Sequence, residues 1–102
     1  MFTVKKLNSH INNFLFELKE RNFHVKKAIL FGSYANGKVH ENSDIDLAIW
    51  ADEFDEYSNN SEKIVSIISK YYPIQPKLYN SNENDDPFIE IIKTTGREIA
   101  IS

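Results

Sequence analysis

Two short apolar runs, with a break between them, constrain this chain more than any other feature. Ala28-Ile29-Leu30-Phe31 stops at Gly32-Ser33, and a second run, Ile45 to Trp50, is preceded by Asp44 and carries Asp46. A short continuous apolar run bounded by turn residues reads as a strand covered on both faces. Val25 to Phe31 is therefore expected as one strand and Asp44 to Trp50 as the next. Between them, Tyr34-Ala35-Asn36-Gly37 fits a single helical turn ended by Gly37 and Lys38, and Asn42-Ser43 makes a turn. Alternation along the second strand puts Ile45, Leu47 and Ile49 on one face and Asp44, Asp46, Ala48 and Trp50 on the other. Both carboxylates then emerge on the same side, about 7 Å apart at Cα.

Periodicity supplies the remaining elements. From about Thr3 to Arg21, Leu7, Ile11, Phe14, Leu15 and Leu18 form one helical stripe, with His10 beside it facing solvent or an edge. Asn59 and Glu62 read as a capping box for a helix with Ile64, Val65, Ile67, Ile68, Tyr71 and Tyr72 on its apolar face. Pro73 stops that helix. Ile74 to Tyr79 is a third strand, and Pro76 within it argues for an edge or a bulge. Asn80 to Asp86 is a polar loop that ends in a helix start, Asp86 as cap and Pro87 at the first position. Phe88, Ile91 and Ile92 are the expected stripe of this helix and Gly96 its stop. Arg97 to Ser102 makes a short last strand with Ile99 and Ile101 on one face. Strands interspersed with helices in this order imply a layered α/β or α+β domain.

Composition narrows the class. A chain of 102 residues is expected to hold one domain, 1–102, with 1–22 as an N-terminal helix and 25–102 as the core. An apolar fraction of 41% argues for a folded chain. Twelve basic against fifteen acidic residues give a net charge of −3, and no basic run exceeds two residues. Direct nucleic-acid binding, which needs a clustered basic face, is thereby disfavoured. The absence of cysteine excludes disulfides, thiolate nucleophiles and zinc–thiolate sites. No apolar run approaches the ~18 residues of a membrane span, and the first residues do not resemble a signal peptide. The expected location is the cytoplasm.

The central stretch also carries chemistry. Gly32 has no Cβ, so a phosphate can approach its backbone, and the amides of Ser33 and Tyr34 opening the helical turn can point at an anion. The Ser33 hydroxyl can add a donor, while Lys38 and Arg97 are candidate phosphate partners. Tyr34 and Trp50 could stack on a base, with packing as the alternative for Trp50. Asp44 and Asp46 repel one another, and one takes up a proton unless a cation sits between them. Mg²⁺ suits such a pair because it prefers oxygen ligands and keeps room for substrate phosphates. A pair of such ions about 3.5–4 Å apart can hold the attacking and leaving oxygens of an in-line displacement. The plain alternative is a solvent-facing strand surface with a generic turn before it.

The pattern Gly32-Ser33-Tyr34-Ala35-Asn36-Gly37, followed by Ser43-Asp44-Ile45-Asp46-Leu47, resembles the minimal branch of the DNA polymerase β-type nucleotidyltransferases. The resemblance implies a mixed sheet backed by helices, a triphosphate held by Gly32 and Ser33 with Tyr34 and Lys38 nearby, and Mg²⁺ held by Asp44 and Asp46. It also implies a third carboxylate on the strand after the long helix, where this chain has Gln75. A Gln oxygen can coordinate a metal but cannot take a proton at neutral pH. Lys77, on the same face, adds positive charge there. Glu83, Asp85, Asp86, Asp52 and Glu53 are the other acids near these strand ends, for which loop solubility and capping are the expected roles.

Minimal nucleotidyltransferases are often antitoxins whose partner is a helical HEPN-type ribonuclease toxin. The resemblance therefore implies Mg²⁺-dependent transfer of AMP from ATP to a hydroxyl of such a partner. The alternative is a nucleotide- or partner-binding module that acts by complex formation, which Gln75 favours. The oligomeric state stays open.

Overall fold

The computed structural model describes residues 2–101; Met1 and Ser102, the ends of the expected domain, lie outside the described residues. Thr3 opens the first helix, its hydroxyl accepting the Lys6 amide at 3.2 Å. Helix α1 (Val4–Glu20) buries Leu7, Ile11, Phe14 and Leu18, and Leu15 lies at the edge of that stripe. His10 is half-buried, and its Nε2 donates to the Tyr71 carbonyl at 2.9 Å, which ties α1 to the end of the third helix. Its ring packs between those of Phe2 and Tyr71.

Strand β1 (Val25–Phe31) has the expected bounds. A one-turn helix α2 (Ser33–Asn36) follows, then β2 (Ile45–Ala51), α3 (Glu62–Lys70), β3 (Ile74–Asn80), α4 (Pro87–Thr95) and β4 (Arg97–Ile99). The four strands form one sheet in the order β3-β2-β1-β4. β1 is antiparallel to both β2 and β4, whereas β2 and β3 are parallel and joined through α3. A parallel pair needs such a crossover, so the length of the 52–73 connection is itself a requirement of the topology. The result is the mixed-sheet α+β fold. β3 lies at an edge, which accommodates Pro76 without costing the sheet interior a donor. Among the described residues, no helix is long and apolar enough to cross a membrane.

The alternation in β2 sorts two cores. Ile45, Leu47, Ile49 and Ala51 pack with Ala28 and Leu30 beneath α1 and α3, against Phe14, Leu18, Ile64 and Ile67. Ala48 and Trp50 face the other way with Ile29 and Tyr79, beneath Ile89 and Ile92 of α4. Helix α4 covers only part of this second face. The end of the face that carries Asp46 is left outside its buried cluster.

Three expectations are corrected. α3 is capped by Ser61, whose Oγ accepts the Ile64 amide at 3.5 Å. Asn59 belongs to a 3-10 turn over Ser58–Asn60 and reaches instead to the Leu78 carbonyl, so the box with Glu62 does not form. In α4 the buried pair is Ile89 and Ile92, three apart on one face, while Ile91 is 55% exposed and Phe88 39% exposed. The last strand ends at Ile99, with Ile101 exposed beyond it.

Gly96 stops α4 as expected, but with extended backbone (φ −93°, ψ 176°) rather than a left-handed turn. The need for glycine there is spatial. A Cβ would lie 2.5 Å from Ile29 Cγ2, 2.5 Å from the Ile92 carbonyl oxygen and 2.8 Å from that of Leu30. Gly96→Ala is expected to destabilise the fold by about 1–3 kcal/mol through overpacking. Thermal denaturation checks this, and an unchanged Tm would show that α4 and β1 separate easily.

Candidate functional site

The two strands that meet at the sheet's centre bring the sequence's marked residues to one end of it. β1 ends at Phe31, and the register sets Phe31 opposite Asp46 and Asp46 opposite Gln75. Partners in register share a face, so Phe31, Asp46 and Gln75 form one row across three strands. Asp44 lies just before β2 and is exposed, Asp46 is half-buried, and Gln75 is exposed. The alignment of Gln75 beside the aspartates is thus a fact of the register. The Ile45 amide donates to the Pro73 carbonyl at 3.0 Å, which fixes the start of β3 against the start of β2.

Gly32 caps this row. It has φ +72° and ψ −149°, a region that L residues essentially never occupy. A Cβ there would collide with Asp46 Oδ2 and lie 3.1 Å from Asp46 Cγ. The missing side chain therefore makes room for the chain's own carboxylate, a requirement that sequence reading assigned to an incoming phosphate. After Gly32, the Ala35 and Asn36 amides donate to the Gly32 carbonyl, at 3.0 and 3.1 Å. The amides of Ser33 and Tyr34, earlier in the turn, have no acceptor within it.

The electrostatics of the row are unbalanced. Burial, followed by the charge of Asp44, pushes the Asp46 carboxyl above its usual range, and among the described residues no hydrogen bond or cation offsets these effects. Among the described residues neither aspartate belongs to an ion pair. The donor set fits a single hard cation held by two carboxylates, with further oxygens from water or phosphate. Among the described residues, no group of three or more His, Asp or Glu converges on one point, so a second ion would have to rely on neutral Gln75.

Other expected site residues are placed as follows. The ring of Tyr34 packs edge-on against Phe2, and its hydroxyl accepts the Phe2 amide at 3.3 Å. Its side chain is thus committed to the N-terminal segment, leaving its backbone amide at the site. Lys38 is exposed beyond Gly37, with its backbone amide held by Ser33 O and Asn36 Oδ1. Arg97 pairs with Leu30, so it lies on the face opposite Asp46. Trp50 is buried, stacks on Tyr79 at 5.1 Å and donates its indole N–H to the Glu83 carbonyl, so packing is its role.

Four of the five loop acids have local partners for their side chains, and Asp85 is exposed. Asp52 meets Lys26 and Ser81, Glu53 meets His24, the Glu83 carboxylate accepts the Asp85 amide, and Asp86 caps α4 while accepting from Tyr79. Burial and the nearby Asp86 carboxylate raise the Tyr79 hydroxyl to about 12.

Sequence reading treated Ser43 as an ordinary turn residue, and the structure gives it more. It is buried, its Oγ accepts the His40 amide at 2.8 Å, and its own amide donates to the His40 carbonyl at 3.0 Å. This clamps the loop immediately before Asp44. The available signal was a serine able to close a local side-chain turn. A groove of about 400 Å³ beside Leu15, Phe16, Phe23 and Val25 lies at the opposite end of β1 and takes no part in this site.

Comparison with known proteins bears on the family and the fold. The family model "Polymerase beta, Nucleotidyltransferase" matches residues 13–102. A putative protein adenylyltransferase of Methanocaldococcus jannaschii is 34% identical over 77 residues, covering 72% of this chain and 73% of its own. A crystal structure of a toxin–antitoxin with AMP-PNP superposes with a TM-score of 0.65 over 93% of this chain and 73% of that one. At 21% identity that likeness establishes the fold.

Two outcomes follow from the geometry. A raised carboxylate pKa in the fold means that the repulsion is full at neutral pH and relieved as pH falls through the raised value. In Mg²⁺-free neutral buffer Asp46→Asn is therefore expected to melt above the parent chain, and Mg²⁺ to raise the Tm of the parent alone. Equal responses to Mg²⁺ would contradict a cation site at this pair. Gly32→Ala should lose more than the ~1–3 kcal/mol of backbone strain, and adding Asp46→Ala should recover the excess. Full additivity in that double-mutant cycle would mean that the two residues do not touch.

Proposed function

We propose, for a chain that belongs to the polymerase β nucleotidyltransferase family, transfer of AMP from ATP to a hydroxyl on a partner protein. The observation that carries this reading is the row in which Gly32 closes over Asp46, with the amides that open the α2 turn on one side and Gln75 on the other. The Ser33 and Tyr34 amides and the Ser33 hydroxyl bind triphosphate oxygens, with Lys38 as a flanking cation. Asp44 and Asp46 hold Mg²⁺, which supplies charge neutralisation at the α-phosphate. The acceptor oxygen forms a bond to the α-phosphorus, the bond from that phosphorus to the β-phosphate oxygen breaks, and pyrophosphate leaves with the electron pair. The hydroxyl proton goes to solvent, because the Gln75 amide can orient the hydroxyl through Oε1 but cannot accept its proton.

A protein acceptor is supported by the relative named as a putative protein adenylyltransferase and by the likeness to a toxin–antitoxin structure. The partner that fits best is a HEPN-type toxin, as in the antitoxins this chain resembles. A second reading, a module that binds nucleotide and partner without turnover, is favoured by one observation: neutral Gln75 stands directly beside Asp46.

Incubation with ATP labelled at its α-phosphate, Mg²⁺ and the neighbouring gene's product separates the two. Transfer of label to that protein, lost on chelation of Mg²⁺ and in the Asp44→Asn/Asp46→Asn double variant, is the expected result. Gln75→Glu is expected to raise the rate by about tenfold or more, within the range of a general base. Transfer that survives the double variant would refute the enzymatic reading. No transfer from the parent chain together with transfer from Gln75→Glu would favour the binding module.

A further inference from the structure

The row of site residues has two sides, and they differ in character. Gly32 and Ser33 lie on the β1 side of Asp46, Gln75 on the β3 side. In an in-line displacement the attacking and leaving oxygens occupy opposite sides of the phosphorus. With the triphosphate tail on the Gly32–Ser33 turn, pyrophosphate departs toward β1 and the acceptor must approach from β3. This step rests on the nucleotide reading above.

The surface on the β3 side is built from two elements. Gln75 and Lys77 are exposed on the Asp46 face of β3, where Lys77 is in register with Ala48. Above them Phe88 of α4 packs edge-on against Phe31, with ring centroids 5.8 Å apart. Phe31 is the residue opposite Asp46, so Phe88 stands beside the reacting row. Phe88 keeps 39% of its surface exposed, and Ile91, one turn further on, keeps 55%. The Lys77 ammonium lies 5.1 Å from the Phe88 ring centroid and makes no ion pair among the described residues. A cation held over an aromatic ring at an exposed site is bound by only about 0.5–1 kcal/mol, so a carboxylate can recruit it.

We propose that this β3–α4 face docks the acceptor, and that it takes a segment of a partner protein. The segment presents an apolar side chain to Phe88 and Ile91 and a carboxylate, close to its acceptor hydroxyl, to Lys77. A nucleic-acid acceptor fits less well, because a polyanion calls for several cations and this face offers Lys77 next to two apolar side chains. Lys77 and Phe88 are thus residues of acceptor specificity. ATP is the sole co-reactant, and the bonds made and broken are those given above.

Amide NMR on the isotope-labelled chain, saturated with Mg²⁺ and a non-hydrolysable ATP analogue, reports the two halves separately. Shifts from the nucleotide at Gly32, Ser33 and Asp46 test the nucleotide reading. Two tyrosine peptides of equal leucine content, one flanked by aspartates and one by lysines, then test the docking face. The acidic peptide is expected to shift Gln75, Lys77, Phe88 and Ile91 and to bind about tenfold tighter, roughly 1.4 kcal/mol. Lys77→Glu, a change at an exposed position, is expected to reverse that order and to leave the nucleotide shifts unchanged. Equal binding of the two peptides overturns the inference, as do shifts at other sites, an order unaffected by Lys77→Glu, or a single-stranded RNA oligonucleotide that shifts these amides where the acidic peptide does not. Nucleotide shifts at 75–91 instead of 32–46 overturn both readings. Absent nucleotide shifts with the peptide shifts present sink the nucleotide reading, and with it the assignment of this face to an acceptor.

Discussion

Asp46 places its carboxylate in the space where residue 32 would carry a side chain, and the rest of the structure is arranged to keep it there. The approach is possible only because Gly32 adopts a positive φ at the end of β1. That bend turns the chain into α2 within one residue of the strand. The two amides left without helical acceptors are then set beside a carboxylate pair that lacks a counter-charge among the described residues. Amide donors at 33 and 34 and carboxylates at 44 and 46, ten to thirteen residues later in the sequence, end on the same rim of the sheet. An apolar contact at this point would have been simpler to fold, since burial disfavours the charge on Asp46. Unrelieved repulsion of this kind is expected where a site is shaped for a ligand that supplies the missing charge.

The surrounding fold holds that rim by covering the sheet unequally. α1 and α3 close one face over Phe14, Leu18, Ile64 and Ile67. On the other, α4 buries Ile29, Ala48, Trp50 and Tyr79 and packs Phe88 on Phe31, but leaves Asp46 and Gln75 outside its buried cluster. Ala48 at the centre of β2 and Gly96 at the end of α4 let this helix lie close to the sheet. Trp50 and Tyr79, stacked at the far end, hold it there. The Phe31–Asp46–Gln75 row lies at the edge of a packed sheet, and the clamp of Ser43 on His40 fixes the loop that leads into Asp44.

Much of this was legible in the sequence because the relevant signals are local. The apolar runs fixed β1 to the residue and β2 to within one, and Asp86-Pro87 marked the start of α4. Pro76 pointed to an edge strand, and β3 is one. What was not legible depends on tertiary geometry. Asn59 and Ser61 are both competent caps, and only the chain's path around the Ser58–Asn60 turn selects Ser61. Phe88, Ile91 and Ile92 have helical spacing, yet the angle of α4 on the sheet buries Ile89 in place of Ile91. Gly32 was read as open to a phosphate, whereas its neighbour is Asp46, fourteen residues later and across a strand pair. The pairing of Gln75 with Asp46 was guessed from a resemblance, and the register supplies it physically.

The central proposal is that this rim binds a nucleoside triphosphate through one hard cation shared by Asp44 and Asp46. A crystal structure of the chain grown with Mg²⁺ and a non-hydrolysable ATP analogue tests it most directly. The account predicts one Mg²⁺ between the two carboxylates and the phosphates on the Ser33 and Tyr34 amides, with Gln75 facing the α-phosphate from the other side. Nucleotide bound elsewhere, such as the groove beside Phe16, or phosphates bound without a metal at the aspartate pair, would contradict it.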